Sequence, residues 1–264
     1  MERLPQEGYM SENPNRKLAV LIDADNAQAS ICAELLAEIA KFGIASIKRA
    51  YGDWTTTNLK GWKEHLHKHA IQPIQQFSYT TGKNSTDSSL IIDAMDLLHT
   101  GHLDGFCLIS SDSDFTRLAT RLRESGLTVY GFGEQKTPEP FISACDKFVY
   151  TEILRSRELI PTETRDESEN AELKNIVLTA VDALSKEDGW ALLSLVGGYI
   201  SKNNPSFDPR NYGYSKLGKL IKSLIYLEIE ERPYKEDSSN FNVYIRAKAL
   251  NKKAKSTSRK SSEK

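Results

Sequence analysis

Three segments of the sequence place aspartates where an apolar run ends or a helical pattern begins. Asp23 follows the first apolar run, and Asp87 precedes a helical pattern. Asp112 and Asp114 follow the apolar run 106–110. Converging carboxylates cannot all stay ionised without a cation between them, and hard carboxylate oxygens favour Mg²⁺ or Mn²⁺. Because such ions activate water and stabilise the charge that develops on a phosphodiester, these aspartates predict metal-assisted hydrolysis.

Each of these aspartates could instead only cap a helix, because Asp is favoured at that position. Capping alone does not explain why three strand ends each carry aspartate, so we favour the metal site. Asp93 lies further along the helix that Asp87 opens, about 120° away around the helix axis. Asp93 is therefore ranked below the other aspartates: it could support the site from behind, or it could be only a polar residue of this helix.

The elements that carry these residues alternate between strand and helix patterns. Strands are predicted at 17–22, 45–51, 71–77, 106–110 and 127–132, and helices at 27–42, 57–70, 86–99 and 115–125. This alternation predicts an α/β fold with a mostly parallel sheet flanked by helices. Such sheets bind ligands at the carboxyl ends of their strands, which is where the aspartates stand.

Three short motifs strengthen this interpretation. In order and spacing they resemble the motifs of the NYN domain. They are Leu21-Ile-Asp-Ala-Asp-Asn26, Lys83-Asn-Ser-Thr-Asp87 and Ile109-Ser-Ser-Asp-Ser-Asp-Phe115. The NYN domain is a PIN-like nuclease family that includes a LabA-like bacterial branch, and the resemblance spans about residues 17–153.

The resemblance implies a PIN-like fold and Mg²⁺- or Mn²⁺-dependent ribonuclease chemistry. Position by position, Asp23, Asp87 and Asp112 match the family's acidic metal-binding set. Asp114 matches a further acidic position, and Asn26 matches an asparagine that holds the first aspartate. PIN-like domains often pair, so a homodimer is a further expectation.

A second domain is predicted beyond a polar, acidic linker. We divide the chain into a flexible leader (1–16), the NYN domain (17–154), the linker (155–170), a small winged-helix domain (171–246) and a basic tail (247–264). The winged helix is predicted from three short helices followed by two strand-like runs. Three segments resemble the OST-HTH/LOTUS domain: Gly189-Trp190, the segment from Phe207 to Gly213, and Lys216-Leu217. This resemblance implies binding of RNA or of a protein partner.

RNA binding requires cations for phosphates and rings for bases. In the first domain the candidates are Lys48, Arg49 and Lys83, and in the second they are Tyr214, Lys216 and Lys219. The alternative is an ordinary solvated face, opposite a core stripe in the second domain.

Composition limits the remaining classes of protein. The net charge of −1 over 264 residues does not indicate a globally basic nucleic-acid binder. The three cysteines have unrelated spacings, which do not suggest a disulfide framework and favour a reducing compartment. Neither a signal-peptide pattern nor an apolar run of about 18 residues is present, so we expect a cytoplasmic protein without a membrane span.

His65 and His69 are four residues apart on one predicted helix face and could hold two bonds to zinc. Because no third ligand lies near them in the sequence, a polar surface helix is the favoured explanation.

The sequence as a whole predicts a metal-dependent ribonuclease that cuts RNA internally with a metal-activated water, while the winged helix binds RNA or a partner. One alternative is an RNA-binding adaptor without catalysis. The other is a phosphatase of the haloacid-dehalogenase type, because Asp23-Ala-Asp25 resembles the Asp-x-Asp of that family.

Overall fold

The computed structural model of the protein describes residues 15–77, 85–155, 167–233 and 241–248. These residues form two units, each built around its own apolar core. Most of the predicted leader, of the predicted linker and of the predicted basic tail, together with Lys83, lies outside the described residues.

The first unit contains a six-stranded parallel sheet, which confirms the predicted α/β fold. Its strands are β1 (Lys17–Asp23), β2 (Ile44–Gly52), β3 (Gln72–Gln75), β4 (Gly105–Ile109), β5 (Thr128–Gly133) and β6 (Lys147–Tyr150). The spatial order is β3-β2-β1-β4-β5-β6. The chain moves outward from β1 to β3 and then returns to start β4 on the other side of β1. The carboxyl ends of β1 and β4 therefore meet at the topological switch point, the usual ligand position in such sheets.

Helices cover both faces of this sheet. They are α1 (Cys32–Ile39), α2 (Trp62–Lys68), α3 (Ser85–His99), α4 (Thr116–Glu124), α5 (Glu139–Ala144) and α6 (Glu152–Arg155). Successive side chains of a strand point to opposite faces. Accordingly Val20 joins the core under α1 and α2, whereas Leu21 joins the core under α3, α4 and α5. Three predicted helices are shorter than expected because their first turn is a 3₁₀ turn.

The second unit has the predicted three helices and paired strands. They are α7 (Glu167–Leu184), α8 (Leu193–Asn203), α9 (Leu217–Ser223), β8 (Leu227–Pro233) and β9 (Phe241–Ala247). A two-residue strand, β7 (Ala191–Leu192), adds to β9 and completes an antiparallel sheet of order β7-β9-β8. The sequence did not predict β7, because two residues are too few to show a period. Among the described helices, none has the length and apolar character needed to cross a membrane.

The second unit covers the outer edge of the parallel sheet. The backbone N–H of Phe148, in β6, donates to the carbonyl of Pro205 at 2.9 Å. The Lys147 ammonium, also in β6, donates to the carbonyl of Phe207 at 3.3 Å. The first of these bonds satisfies a backbone group on an edge strand that would otherwise be open to pairing with another chain.

A buried ion-pair cluster joins the two units beside this edge. The Arg210 guanidinium donates to both carboxylate oxygens of Glu38 in α1, at 2.9 and 2.7 Å. It also donates to both oxygens of Asp208, at 3.0 and 2.7 Å. Burial is the largest single influence and opposes ionisation of both carboxyls. The hydrogen bonds and charge of Arg210, together with Lys41 at Glu38 and Lys147 at Asp208, outweigh it and hold the pKa of Glu38 and of Asp208 below the usual range. Part of the OST-HTH-like motif therefore binds the first domain.

Candidate metal centre

The predicted aspartates meet at the carboxyl ends of β1 and β4. Asp23 is the last residue of β1, Asp87 lies in the first turn of α3, and Asp112 and Asp114 lie in the turn after β4. One carboxylate oxygen from each of Asp87, Asp112 and Asp114 lies within 4.8 Å of the others. Three carboxylates at this spacing form a donor set suited to a hard divalent cation.

Asp23 is buried at the end of β1, near enough to Asp87 for its charge to raise the pKa of that residue, and is held in a fixed orientation. Its Oδ2 accepts hydrogen bonds from the Asn26 amide and from the Ser110 hydroxyl, each at 2.8 Å. Its Oδ1 is shielded from solvent and has no hydrogen-bond partner within the described residues. An unpartnered buried oxygen is costly, and a cation at the cluster would supply the missing partner. The residues present therefore fit a divalent metal ion.

The electrostatics of the cluster also indicate a missing positive charge. Burial, and to a smaller extent the charge of Asp25, raises the pKa of Asp23. Burial raises the pKa of Asp87 to about 6, and the charges of Asp23, Asp112, Asp114 and Asp25 add to this effect. Several carboxylates thus disfavour one another's ionised form, which a bound cation would reverse.

Asp112 both caps a helical turn and belongs to the cluster of carboxylates. Its Oδ1 accepts the backbone N–H of Asp114 at 3.0 Å and caps the 3₁₀ turn that precedes α4. The same carboxylate belongs to the three-oxygen cluster. The cap and the metal-site interpretations that the sequence left open are therefore compatible at this residue.

Two residues that position the site were not predicted. Ser110 is buried and binds Asp23, while Thr86 is buried and donates through Oγ1 to Asp25 at 3.0 Å. The signal in the sequence was the position of each hydroxyl, one or two residues from an aspartate of a motif. These bonds tie the loops after β1 and β4 to the first turn of α3.

The structure places Asp93 and two of the predicted RNA contacts away from the three-oxygen cluster. Asp93 accepts hydrogen bonds from the Arg49 guanidinium and the Tyr51 hydroxyl. Burial and this carboxylate raise the pKa of Tyr51 above its usual range. The Lys48 ammonium donates to the backbone carbonyl of His69 at 2.5 Å. Lys48 and Arg49 thus have structural partners inside the domain, and RNA binding by them stays a prediction.

The charge on Asp87 gives a prediction for the metal-free protein. Because its pKa rises from 3.8 to about 6 in the folded chain, its ionisation destabilises the fold increasingly as pH rises between these values, and fully above about pH 6. We expect Asp87→Asn to stabilise the protein by roughly 1–2 kcal/mol at pH 7 in EDTA, and by about half as much at pH 5. Thermal unfolding at both pH values measures the difference, with Asp96→Asn, an exposed position on the same helix, as the control. Equal gains at both pH values would contradict it.

The second domain presents a stack of rings and guanidinium groups on its sheet. The Arg246 guanidinium lies 4.6 Å from the centre of the Trp190 ring. The Arg232 guanidinium lies 5.2 Å from the Trp190 ring and 4.5 Å from the Tyr244 ring. We call these four residues the Trp190 stack. The sequence analysis named Trp190 only as part of a motif and did not predict the stack, because the two arginines and the tyrosine come from β8 and β9.

The predicted contacts of the second domain lie around the start of α9. Lys216 and Lys219 are exposed there, whereas Tyr214 is half-buried and packs against the core of this domain. The structure thus shows two candidate RNA surfaces in the second domain, the predicted one at α9 and the Trp190 stack.

Comparison with known families agrees with this geometry. The NYN domain family matches residues 17–154, just over half of the chain. The chain belongs to the NYN domain family. An OST-HTH/LOTUS domain matches residues 166–239, which confirms the predicted two-domain architecture. NYN domains are typically ribonucleases and generally use divalent metals, and OST-HTH/LOTUS domains bind RNA.

Solved structures similar to this NYN protein carry no described activity. One, a protein of unknown function from Vibrio parahaemolyticus, is 18% identical, covers 53% of this chain and 96% of its own, and has a TM-score of 0.45. An uncharacterized protein from Nitrosomonas europaea is 34% identical over 36% of this chain and 91% of its own, with a TM-score of 0.28. A Chromobacterium violaceum protein is 30% identical over 38% of this chain and 99% of its own, with a TM-score of 0.25. No curated protein matches the chain.

Proposed function

We propose that this NYN protein is a Mg²⁺- or Mn²⁺-dependent endoribonuclease. The observation that carries the proposal is the convergence of Asp87, Asp112 and Asp114 near Asp23, whose buried Oδ1 has no hydrogen-bond partner among the described residues. Asp112 is half-exposed and Asp114 is exposed, so a phosphodiester can approach the cluster from solvent.

The aspartates have distinct tasks in this proposal. A bound divalent ion supplies the activation of water and the neutralisation of phosphate charge that hydrolysis needs. Asp87, Asp112 and Asp114 hold that ion at the rim, and Asp23 holds it from below. Asn26 and Ser110 keep Asp23 oriented, so that its free oxygen faces the cluster.

Cleavage of defined RNAs tests the proposal. Purified protein is incubated with linear single-stranded, structured and circular RNAs in Mn²⁺, Mg²⁺ or EDTA. We expect cleavage in either metal, none in EDTA, and cleavage of the circular RNA, since an endonuclease needs no free end. Cleavage of linear RNA alone would indicate an exonuclease, and cleavage in EDTA would contradict the metal requirement.

The two alternatives are weaker on structural grounds. A haloacid-dehalogenase-type phosphatase would use Asp23 as its nucleophile, yet Asp23 is fully buried and its Oδ2 already accepts two hydrogen bonds. A non-catalytic RNA-binding adaptor does not need to retain four converging carboxylates at an energetic cost. RNA binding without cleavage in any metal would nevertheless favour the adaptor. The homodimer, the protein partner and the cytoplasmic location stay predictions.

RNA binding by the second domain gives a further prediction. Stacking of a base on an aromatic ring is worth about 1–3 kcal/mol, so we expect Trp190→Ala to weaken RNA binding by roughly 10-fold. The double variant Lys216→Ala/Lys219→Ala tests the α9 surface in parallel, and Lys202→Ala, which is exposed on α8, is the control. Affinities are measured by fluorescence anisotropy with an uncleavable RNA. Unchanged binding by Trp190→Ala with a loss in the lysine variant would assign RNA to α9 instead.

A further inference from the structure

A second group of metal-binding side chains lies on the opposite face of the sheet from α3. Cys32, at the start of α1, meets His65 and His69 from α2 and the residue after it. One ligand atom from each of the three lies within 4.8 Å of the others. The sequence did not favour zinc here because His65 and His69 had no third ligand nearby. The fold supplies one from a residue more than thirty positions earlier.

The imidazoles in this group lack the partners that buried ring nitrogens normally have. The two rings are nearly parallel, at 8° and with their centres 6.1 Å apart. Nδ1 of His65 and Nε2 of His69 are shielded from solvent and, in the part of the chain that the structure describes, have no hydrogen-bond partner. Cys32 is fully buried beside them. Unsatisfied buried nitrogens disfavour the fold unless something binds them.

We propose that Cys32, His65 and His69 form a zinc site that clamps α1 to α2. A thiolate and two imidazoles are the donors that zinc prefers, whereas Mg²⁺ and Mn²⁺ prefer oxygen. Ligand atoms around tetrahedral zinc are separated by roughly 3.3–3.7 Å, given bond lengths of about 2.0–2.3 Å. The three ligand atoms, which lie within 4.8 Å of one another, therefore have to close by about 1 Å around the ion. Binding transfers the Cys32 thiol proton to solvent and leaves one zinc position for water.

Two neighbours hold the ligands of this site in place. The Lys48 ammonium donates to the backbone carbonyl of His69, which fixes the end of α2. The Trp62 ring packs edge-on against the His65 ring, with centres 6.5 Å apart. This hydrogen bond and this ring contact thus hold the surroundings of His65 and His69 in place without a bound ion. The site is independent of the proposed ribonuclease activity.

Zinc titration of the full chain tests this proposal. The reduced, metal-free protein carries Asp112→Asn so that the acidic cluster contributes little, and it competes for Zn²⁺ with a chromophoric chelator in excess Mg²⁺. We expect one tight zinc per chain. Cys32→Ser and His69→Gln should each weaken zinc binding by at least about 100-fold, because even the loss of an outer partner costs 10–100-fold. His67→Gln, exposed on the same helix, should leave it unchanged.

Cobalt gives a second measurement that does not depend on the variants folding. Co²⁺ bound to the protein without substitutions at this site should show a thiolate-to-cobalt charge-transfer band that zinc displaces and that Mg²⁺ does not. The thermal unfolding midpoint should rise with Zn²⁺ concentration. Absence of stoichiometric zinc binding, absence of the thiolate band, or full affinity in both Cys32→Ser and His69→Gln would overturn the proposal.

Discussion

We expect the Asp112→Asn variant to lose metal-dependent RNA cleavage by more than about 100-fold, since even the loss of an outer partner of a ligand costs 10–100-fold. The substitution removes one of three clustered charges and leaves the side-chain shape. An Asn Oδ1 can still accept the Asp114 N–H at the cap, so the local fold should persist. Initial cleavage rates in saturating Mn²⁺ measure the loss.

A second measurement separates metal binding from chemistry. Mn²⁺ affinity, followed by calorimetry, should fall in Asp112→Asn while RNA binding through the second domain stays unchanged. Asp96→Asn, an exposed aspartate on α3 outside the cluster, should cleave at the wild-type rate. Wild-type cleavage by Asp112→Asn would remove this residue from the proposed site.

The second large effect concerns the contact between the domains. We expect Arg210→Met to weaken that contact by about 3–5 kcal/mol, because it leaves the buried carboxylates of Glu38 and Asp208 without their shared partner. Separation of the domains would let water reach both carboxylates. Small-angle scattering should therefore show a larger radius of gyration in the variant.

Neutralising Glu38 and Asp208 in the Arg210→Met background should reverse much of the loss of contact between the domains. The triple variant Glu38→Gln/Asp208→Asn/Arg210→Met should be more compact than Arg210→Met alone. Lys222→Ala, which breaks the exposed pair with Glu231, is the control and should cost less than about 1 kcal/mol. Because the pKa of Glu38 and of Asp208 is lowered in the folded protein, the wild-type contact is stable near neutral pH. It weakens as pH falls through those lowered pKa values. An unchanged radius in Arg210→Met would refute the role of this cluster.

Much of the first domain could be predicted because its signals are local. The run from Leu18 to Ile22 is apolar throughout, since this part of β1 is buried on both faces and the next polar residue is Asp23 at its end. Asp23, Asp87 and Asp112 could then be assigned to one edge of the sheet, because carboxyl ends of parallel strands share an edge. The strand β6 and the helices α5 and α6 were missed, since four to six residues carry little period.

The sequence by itself determined the α/β alternation, the winged-helix unit and the positions of the four carboxylates along the chain. Only the tertiary structure decided which partners those residues meet. It placed Ser110 on Asp23, Cys32 beside His65, and Arg210 on Glu38 across 172 positions. The physical reason is that periodicity and turn residues indicate only which helix or strand a residue belongs to and which face of it the side chain occupies. Contacts between elements depend instead on how separate helices and strands pack, and no local pattern records that.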